Sequence, residues 1–464
     1  MKRVAPLLLA VAAVACERER PPAGQIVLYV DTDAMVREPS GAASDPALLA
    51  PMIDRARFEV LRDGQPLPNS ARDVAIDAAM LREGRVSFGI VPPPGLVTAS
   101  VRVRLFRADR VFGPEPEPGV TLDTTVALPP VAEDGIVEQH VVLRTDDFGL
   151  RLGPIPSAPG RPARSLVGTW RGGRRVACAE GARPGEACVP GASFFFGNPQ
   201  FRGRTTTSDI SDERLVWVSP FFIDVTEVTV ASFRAVWPEL SGRVPEPTTK
   251  DADPYCTWRA TADPDDDRRA LACVSSATAE AYCAALDKTL PTEAQFELVT
   301  SGAGEEWAFP WGNDEPDCVT AVWGMAGIPT ATFDAIKRGA DQCRQIRTDE
   351  PGPLPPGLGL GDRISAGVVR SAGGADVQDL GGNLGEWVRD AWARPTDPFW
   401  SSLRPMIDPV NAVPNAADGD MRPVRGGDWA STALTTRAGF RRRRAASEQS
   451  PLIGFRCARP AVSP

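Results

Sequence analysis

Residues 425–437 read RGGDWASTALTTR, and the reading of this stretch decides what the rest of the chain is. An arginine and two glycines precede an aromatic, the pattern of a strand that passes close beside another backbone and then turns. The following residues are hydroxylic, with Ser431, Thr432, Thr435 and Thr436 in six positions. No cysteine or histidine lies in the stretch. A strand leading into a polar loop suits a reactive site, yet these side chains are poor soft-metal ligands and poor redox groups.

The whole chain narrows the chemistry further. Its 464 residues exceed one ordinary core, so two or three domains are expected. A formal net charge of -9 argues against nucleic acid as the main partner, because a phosphate-binding surface needs a basic excess. There is one histidine, His140. A site with two or three imidazole ligands therefore cannot be built within one chain. The setting of His140, EQHVVLR at 138–144, alternates like a strand and reads as structural.

Residues 1–16, MKRVAPLLLAVAAVAC, have the order of an export signal: Lys2 and Arg3, then an apolar run too short to span a bilayer. The small residues before Cys16 resemble a bacterial lipobox, which implies that Cys16 becomes the acylated N-terminus and a membrane anchor. The alternative is an ordinary signal peptide with a cysteine nearby. Residues 17–24 then form a polar tether. Eight further cysteines remain, an even number that an exported chain uses for disulfides. Neighbours suggest Cys178 with Cys188, Cys256 with Cys273 and Cys318 with Cys343, leaving Cys283 and Cys457, although eight cysteines permit on the order of a hundred pairings.

Residues 25–152 show period-two runs, among them QIVLYVD at 25–31 and ASVRVRLFRA at 99–108, separated by turn residues. This spacing predicts an all-β sandwich acting as a spacer or adhesion module. The Pro/Gly/Ser-rich residues 153–165, GPIPSAPGRPARS, read as a linker. Residues 166–464 form a second, irregular domain in which two helices are legible. One is expected over 277–286 behind Ser276 as N-cap. The other follows Thr292, whose spacing from Gln295 is a capping box, and ends at Gly302.

Seven stretches of this second domain, in order, resemble the sulfatase-modifying factor domain of formylglycine-generating enzymes. They are FFFG at 194–197, VWVSPFFIDVTEVTVASFRAVWP at 216–238, CVSSATAEAYCAALDKTLPTEAQFELVTSG at 273–302, FPWGN at 309–313, DLGGNLGEWVRD at 379–390, VRGGDW at 424–429 and GFRCAR at 454–459. The resemblance implies an α+β, loop-rich fold like that of C-type lectins. It also implies a Cys283–Cys457 bond. A calcium ion is implied as well, held by the side chains of Asp379 and Glu386 and the carbonyls of Gly382 and Leu384; such mixed oxygen ligands suit a hard, flexible cation. The alternative is that both carboxylates only accept from turn amides.

Catalysis is where the chain departs from the resemblance. The family's oxidase uses two thiolates past the glycine pair to hold copper, and here those positions are Ser431 and Thr436. Neither hydroxyl is a Cu(I) ligand, so no catalytic residue and no copper is expected. A related branch uses three histidines on iron, which one histidine forbids. Arg437 and Arg441 to Arg444 could bind anions but are expected to pair with the chain's own carboxylates. Trp387, Trp392 and Trp400 are expected in the core. The sequence thus predicts a membrane-anchored exported lipoprotein, at the outer membrane or cell surface, that binds an unidentified protein or glycan. The other reading is an oxidoreductase that converts a sulfatase cysteine to formylglycine by an altered mechanism.

Overall fold

The structure is a computed structural model. It describes residues 24–461 except 40, 42–48, 92–99, 112, 131–134, 180, 198–212, 327–341, 366–367, 372–373, 396 and 402–403. The expected signal, Cys16 and most of the tether lie outside the described residues.

Two sheets build the N-terminal part. One runs in the order Ala158–Pro159, Ile136–Leu143, Gln25–Thr32, Ser87–Ile90, with the two long central strands parallel. The other runs Gln65–Pro66, Arg55–Arg62, Ser100–Phe106, Leu122–Ala127, Arg151–Pro156, and Arg72–Ala75 pairs with Arg55–Arg62 outside that order. Alternating side chains from both, such as Ile26, Leu28 and Val30 against Phe58, Val101, Val103 and Leu105, fill one apolar core. His140 is held in its strand, and its Nδ1 lies 3.1 Å from Gly160 O.

The first half of the segment expected to be a linker is sheet. Arg151–Pro156 and Ala158–Pro159 are the outermost strands of the two sheets, and Ser165 Oγ and Leu166 N then donate to the Asp31 carboxylate at 2.8 and 2.7 Å. Proline lacks a backbone donor, so it is confined to sheet edges, where that donor has no ladder partner. The Pro-rich texture marks two edge strands.

The C-terminal part packs short sheets around three helices of eight or more residues among the described ones. Glu186–Val189, Phe221–Asp224 and Ala458–Pro460 form one sheet with Arg370–Ser371. A second joins Arg441–Ala445, Met421–Arg425, Gly385–Trp387 and Ile453–Gly454. The helix Val230–Leu240 has the expected Thr229 cap, which accepts from Ser232 N at 3.2 Å. The helix Ser276–Ala285 begins one residue early, behind Ser275 rather than Ser276, because the Ser275 hydroxyl is the one that accepts from Thr278 N. Thr292 and Gln295 close the expected capping box on Glu293–Thr300. All four disulfides have the expected partners: Cys178–Cys188, Cys256–Cys273, Cys283–Cys457 and Cys318–Cys343. Trp387, Trp392 and Trp400 are buried.

The two parts share side chains. Phe195 and Leu215, carried by the strands Ala192–Phe196 and Arg214–Val218, belong to the N-terminal core, while Leu49 belongs to a C-terminal one. Phe195 meets Phe148 edge-on, with ring centroids 5.7 Å apart. The N-terminal part is therefore fused to its neighbour, which a spacer is not. Phe195→Ala should cost about 3–5 kcal/mol. Scanning calorimetry should show both parts losing stability in a single transition; two transitions with only one shifted would contradict the shared core.

Candidate functional site

The Met421–Arg425 strand delivers the 425–437 loop. It lies between Gly385–Trp387 and Arg441–Ala445, so both ends of the loop are anchored in one sheet. Gly426 has a φ of 77°, and a Cβ there would sit 2.7 Å from Leu380 O. Gly427 donates its N–H to Gly381 O at 3.1 Å, and a Cβ at 427 would collide with that same oxygen. Two glycine-bearing segments thus cross at backbone contact, as the sequence pattern predicts.

Beneath the loop Arg425 is fully buried. It donates to Glu293 Oε1 at 3.1 Å, Glu297 Oε2 at 2.5 Å and Ala438 O at 2.9 Å. Arg441 grips the same Glu293 with two bonds of 2.7 and 2.8 Å and lies 4.2 Å above the Trp392 ring. Burial raises the Glu297 carboxyl above its ordinary range, and Arg425 opposes that shift. The remaining arginines are paired as expected: Arg437 with Glu315, Arg442 with Asp428, Arg443 with Asp418 and Arg444 with Glu448.

The two positions that the resemblance marks for chemistry are structural. Ser431 is buried; its Oγ accepts from Asp428 N at 3.0 Å and lies 2.9 Å from Asp428 O and 2.5 Å from Thr435 Oγ1. Thr436 is fully buried and its hydroxyl donates to Ala433 O at 2.8 Å. Both hydroxyls are spent on holding the turn. Neither has a histidine, lysine or carboxylate side chain among its hydrogen-bond partners, so neither is set up as a nucleophile.

Opposite the loop, residues 379–386 meet a second buried arginine. Arg456 grips Glu386 through Nε, at 2.9 and 2.8 Å to the two oxygens, and through Nη2 at 2.7 Å. Nη2 also donates to Gln378 O and Asp379 O at 2.8 and 3.0 Å. Asp379 accepts from Gly357 N through Oδ2, whereas its buried Oδ1 has no partner. Two further buried carboxylates stand close by, and sequence reading missed both. Glu227 accepts from Asn383 Nδ2 at 2.6 Å and Leu384 N at 3.0 Å; Asp362 accepts from Gly381 N at 2.9 Å. Their signals were acidic residues inside otherwise apolar or glycine-rich runs, at DVTEVTV and GLGLGDR.

Electrostatics at this cluster are unbalanced. Burial pushes Asp379 up to about 6, and burial with the charge of Asp379 pushes Asp362 up to about 7. Glu227 is raised by burial and by Asp379 and Glu386, and Glu386 is raised by burial against the pull of Arg456. Four carboxylates face one guanidinium. That surplus is negative charge that a hard cation would offset. Among the described residues no three His, Cys, Asp or Glu side chains group as metal ligands, so a cation here would depend on backbone oxygens as well.

The sulfatase-modifying factor enzyme 1-like domain matches residues 176–461. The chain belongs to that family. It is similar to inactive C-alpha-formylglycine-generating enzyme 2 of Bos taurus, 25% identical with 63% of this chain and 93% of the relative covered. The same protein of Mus musculus is 26% identical, over 61% of this chain and 87% of the relative. A shorter similarity joins it to hercynine oxygenase of Mycolicibacterium thermoresistibile, 28% identical over 35% of this chain and 30% of that protein.

Arg425→Met should destabilise the family domain by about 3–5 kcal/mol, because it leaves Glu297 buried without its cation. Adding Glu297→Gln should recover part of that loss in chemical denaturation; no recovery would show that Arg425 acts through packing alone.

Proposed function

We propose that this chain is a non-catalytic binding protein of the sulfatase-modifying factor family, exported and anchored to a membrane by lipid on Cys16. The observation that carries the reading is that Ser431 and Thr436 occupy the family's thiol positions and spend their hydroxyls on the turn. Soft-metal oxidation needs thiolates there, and hydroxyls bonded to backbone cannot replace them. Relatives named inactive formylglycine-generating enzyme 2 support the same reading. So does the cysteine usage, since the eight described cysteines are all in disulfides and leave no free thiol among the described residues.

In this reading the loop-rich α+β domain is C-type-lectin-like and presents its loops to a protein or glycan at the outer membrane or cell surface. A calcium ion at Asp379, Glu386, Gly382 and Leu384 would neutralise part of the buried negative charge, with Glu227 and Asp362 beside it and Arg456 bracing Glu386.

Three outcomes are expected. Incubation with copper, oxygen and a cysteine-bearing sulfatase-type peptide should yield no aldehyde by mass spectrometry, and clear turnover would reverse the functional reading. Chelator-treated protein should gain thermal stability on adding calcium, and Asp379→Ala should remove that gain; an unchanged melting temperature in the parent would discard the ion. Cys16→Ser should move the protein from the membrane fraction to the soluble exported fraction, and continued membrane retention would discard the lipid anchor.

A further inference from the structure

A cavity of about 220 Å³ lies where the N-terminal sandwich meets the family domain. Its walls come from both: Arg107 and Arg110 on one side, Glu213, Glu306, Trp307 and Asn313 on the other. Two cations face two committed anions. Arg107 bonds Glu306 Oε2 at 2.6 Å and Asp109 at 2.9 and 3.0 Å, and Arg110 reaches Glu306 at 3.2 Å and Asp109 at 3.1 Å. Glu297, also on the wall, belongs to Arg425.

Glu213 is the exception. It is buried, and burial together with the nearby Glu306 and Glu117 pushes its carboxyl up to about 8, against Arg110 and Arg107. Arg110 Nε donates to Oε1 at 2.9 Å; Oε2 lies at ion-pair distance from the same nitrogen yet makes no hydrogen bond. Glu213 therefore stands in the cavity wall with Oε1 held by Arg110 and Oε2 buried. Among the described residues two donors on the wall are unspent. Asn313 uses only Oδ1, which accepts from Ala308 N at 3.0 Å, and Trp307 Nε1 has no partner. The Trp307 indole is seated on Gly302, where a Cβ would come within 2.6 Å of the ring, so its position is fixed.

We propose that this cavity binds a small neutral polyhydroxylated ligand of monosaccharide size, such as the terminal sugar of a glycan. Matched charges on the walls leave nothing to compensate an ionic ligand, and unspent polar groups disfavour an apolar one. Hydroxyls can accept from the free amide and indole donors on a wall whose other charged groups are already paired. The amphipathic indole offers an apolar face to the C–H side of a sugar ring. The volume matches a ring of that size. The proposal rests on the reading of this chain as a binding protein and places one ligand site at the fused junction.

The test is titration calorimetry and saturation-transfer NMR on the soluble chain with a panel of neutral hexoses and N-acetylhexosamines at millimolar concentration. At least one should bind saturably. Asn313→Ala should weaken it roughly fivefold, and Asn313→Trp should abolish it, with only a small fall in melting temperature, because Asn313 is exposed and gives up just the bond from Ala308 N. Binding should fall as pH rises through about 8, where Glu213 ionises, and Glu213→Gln should remove that fall. Absence of saturable binding by any sugar overturns the proposal, as does binding that both Asn313 variants leave intact. Failure here, with no aldehyde formed in the copper assay, would leave the non-catalytic reading standing.

Discussion

Buried arginine holds the family domain together. Short strands and long loops give its backbone few continuous ladders, so polar groups inside need other partners. Arg425 joins the helix Glu293–Thr300 to the strand before the loop and to Ala438 O after it. Arg456 joins Glu386 to the carbonyls of 378 and 379 from the stretch between the strands Ile453–Gly454 and Ala458–Pro460. Each guanidinium crosslinks three or more segments with planar, directional donors, which a lysine could not do. The Cys283–Cys457 bond, spanning 174 residues, ties the same C-terminal segment to the helix Ser276–Ala285.

This frame separates two properties that the family's oxidase combines. The crossing of Gly426-Gly427 over Leu380-Gly381, and the arginine pairs below it, need no thiols. In this chain the hydroxyls of Ser431 and Thr436 are absorbed into the turn. A loop closed on hydroxyls, without soft ligands, is the physical basis for reading the chain as a binder. The fused N-terminal sandwich adds to this, since Phe195 and Leu215 fix the second surface against the first.

Much of the local structure was legible. The capping box at Thr292 and Gln295, the Thr229 cap and the glycine crossing depend on neighbours a few residues away, so spacing reveals them. The arginine tail's pairing with the chain's own acids followed from net charge and from the weakness of isolated cationic surfaces. The 153–165 segment was misread because proline and glycine have the same texture in a linker and in an edge strand. Only the neighbouring strand, Leu122–Ala127 or Ile136–Leu143, distinguishes them. Glu227 and Asp362 stand out only as acids in apolar or glycine-rich runs, and their sequence neighbours say nothing of a carboxylate surplus assembled from three separate segments.

By itself the sequence determined the family, the residue types at the two catalytic positions and the absence of imidazole for any multi-histidine centre. These are matters of identity and order along the chain. Tertiary structure decided what the identities do: that Ser431 and Thr436 brace a turn, that four buried carboxylates gather near Arg456, which pairs with Glu386, and that two modules share side chains around a polar cavity. Burial and charge balance depend on groups far apart in sequence, and they exist only once the chain has closed around them.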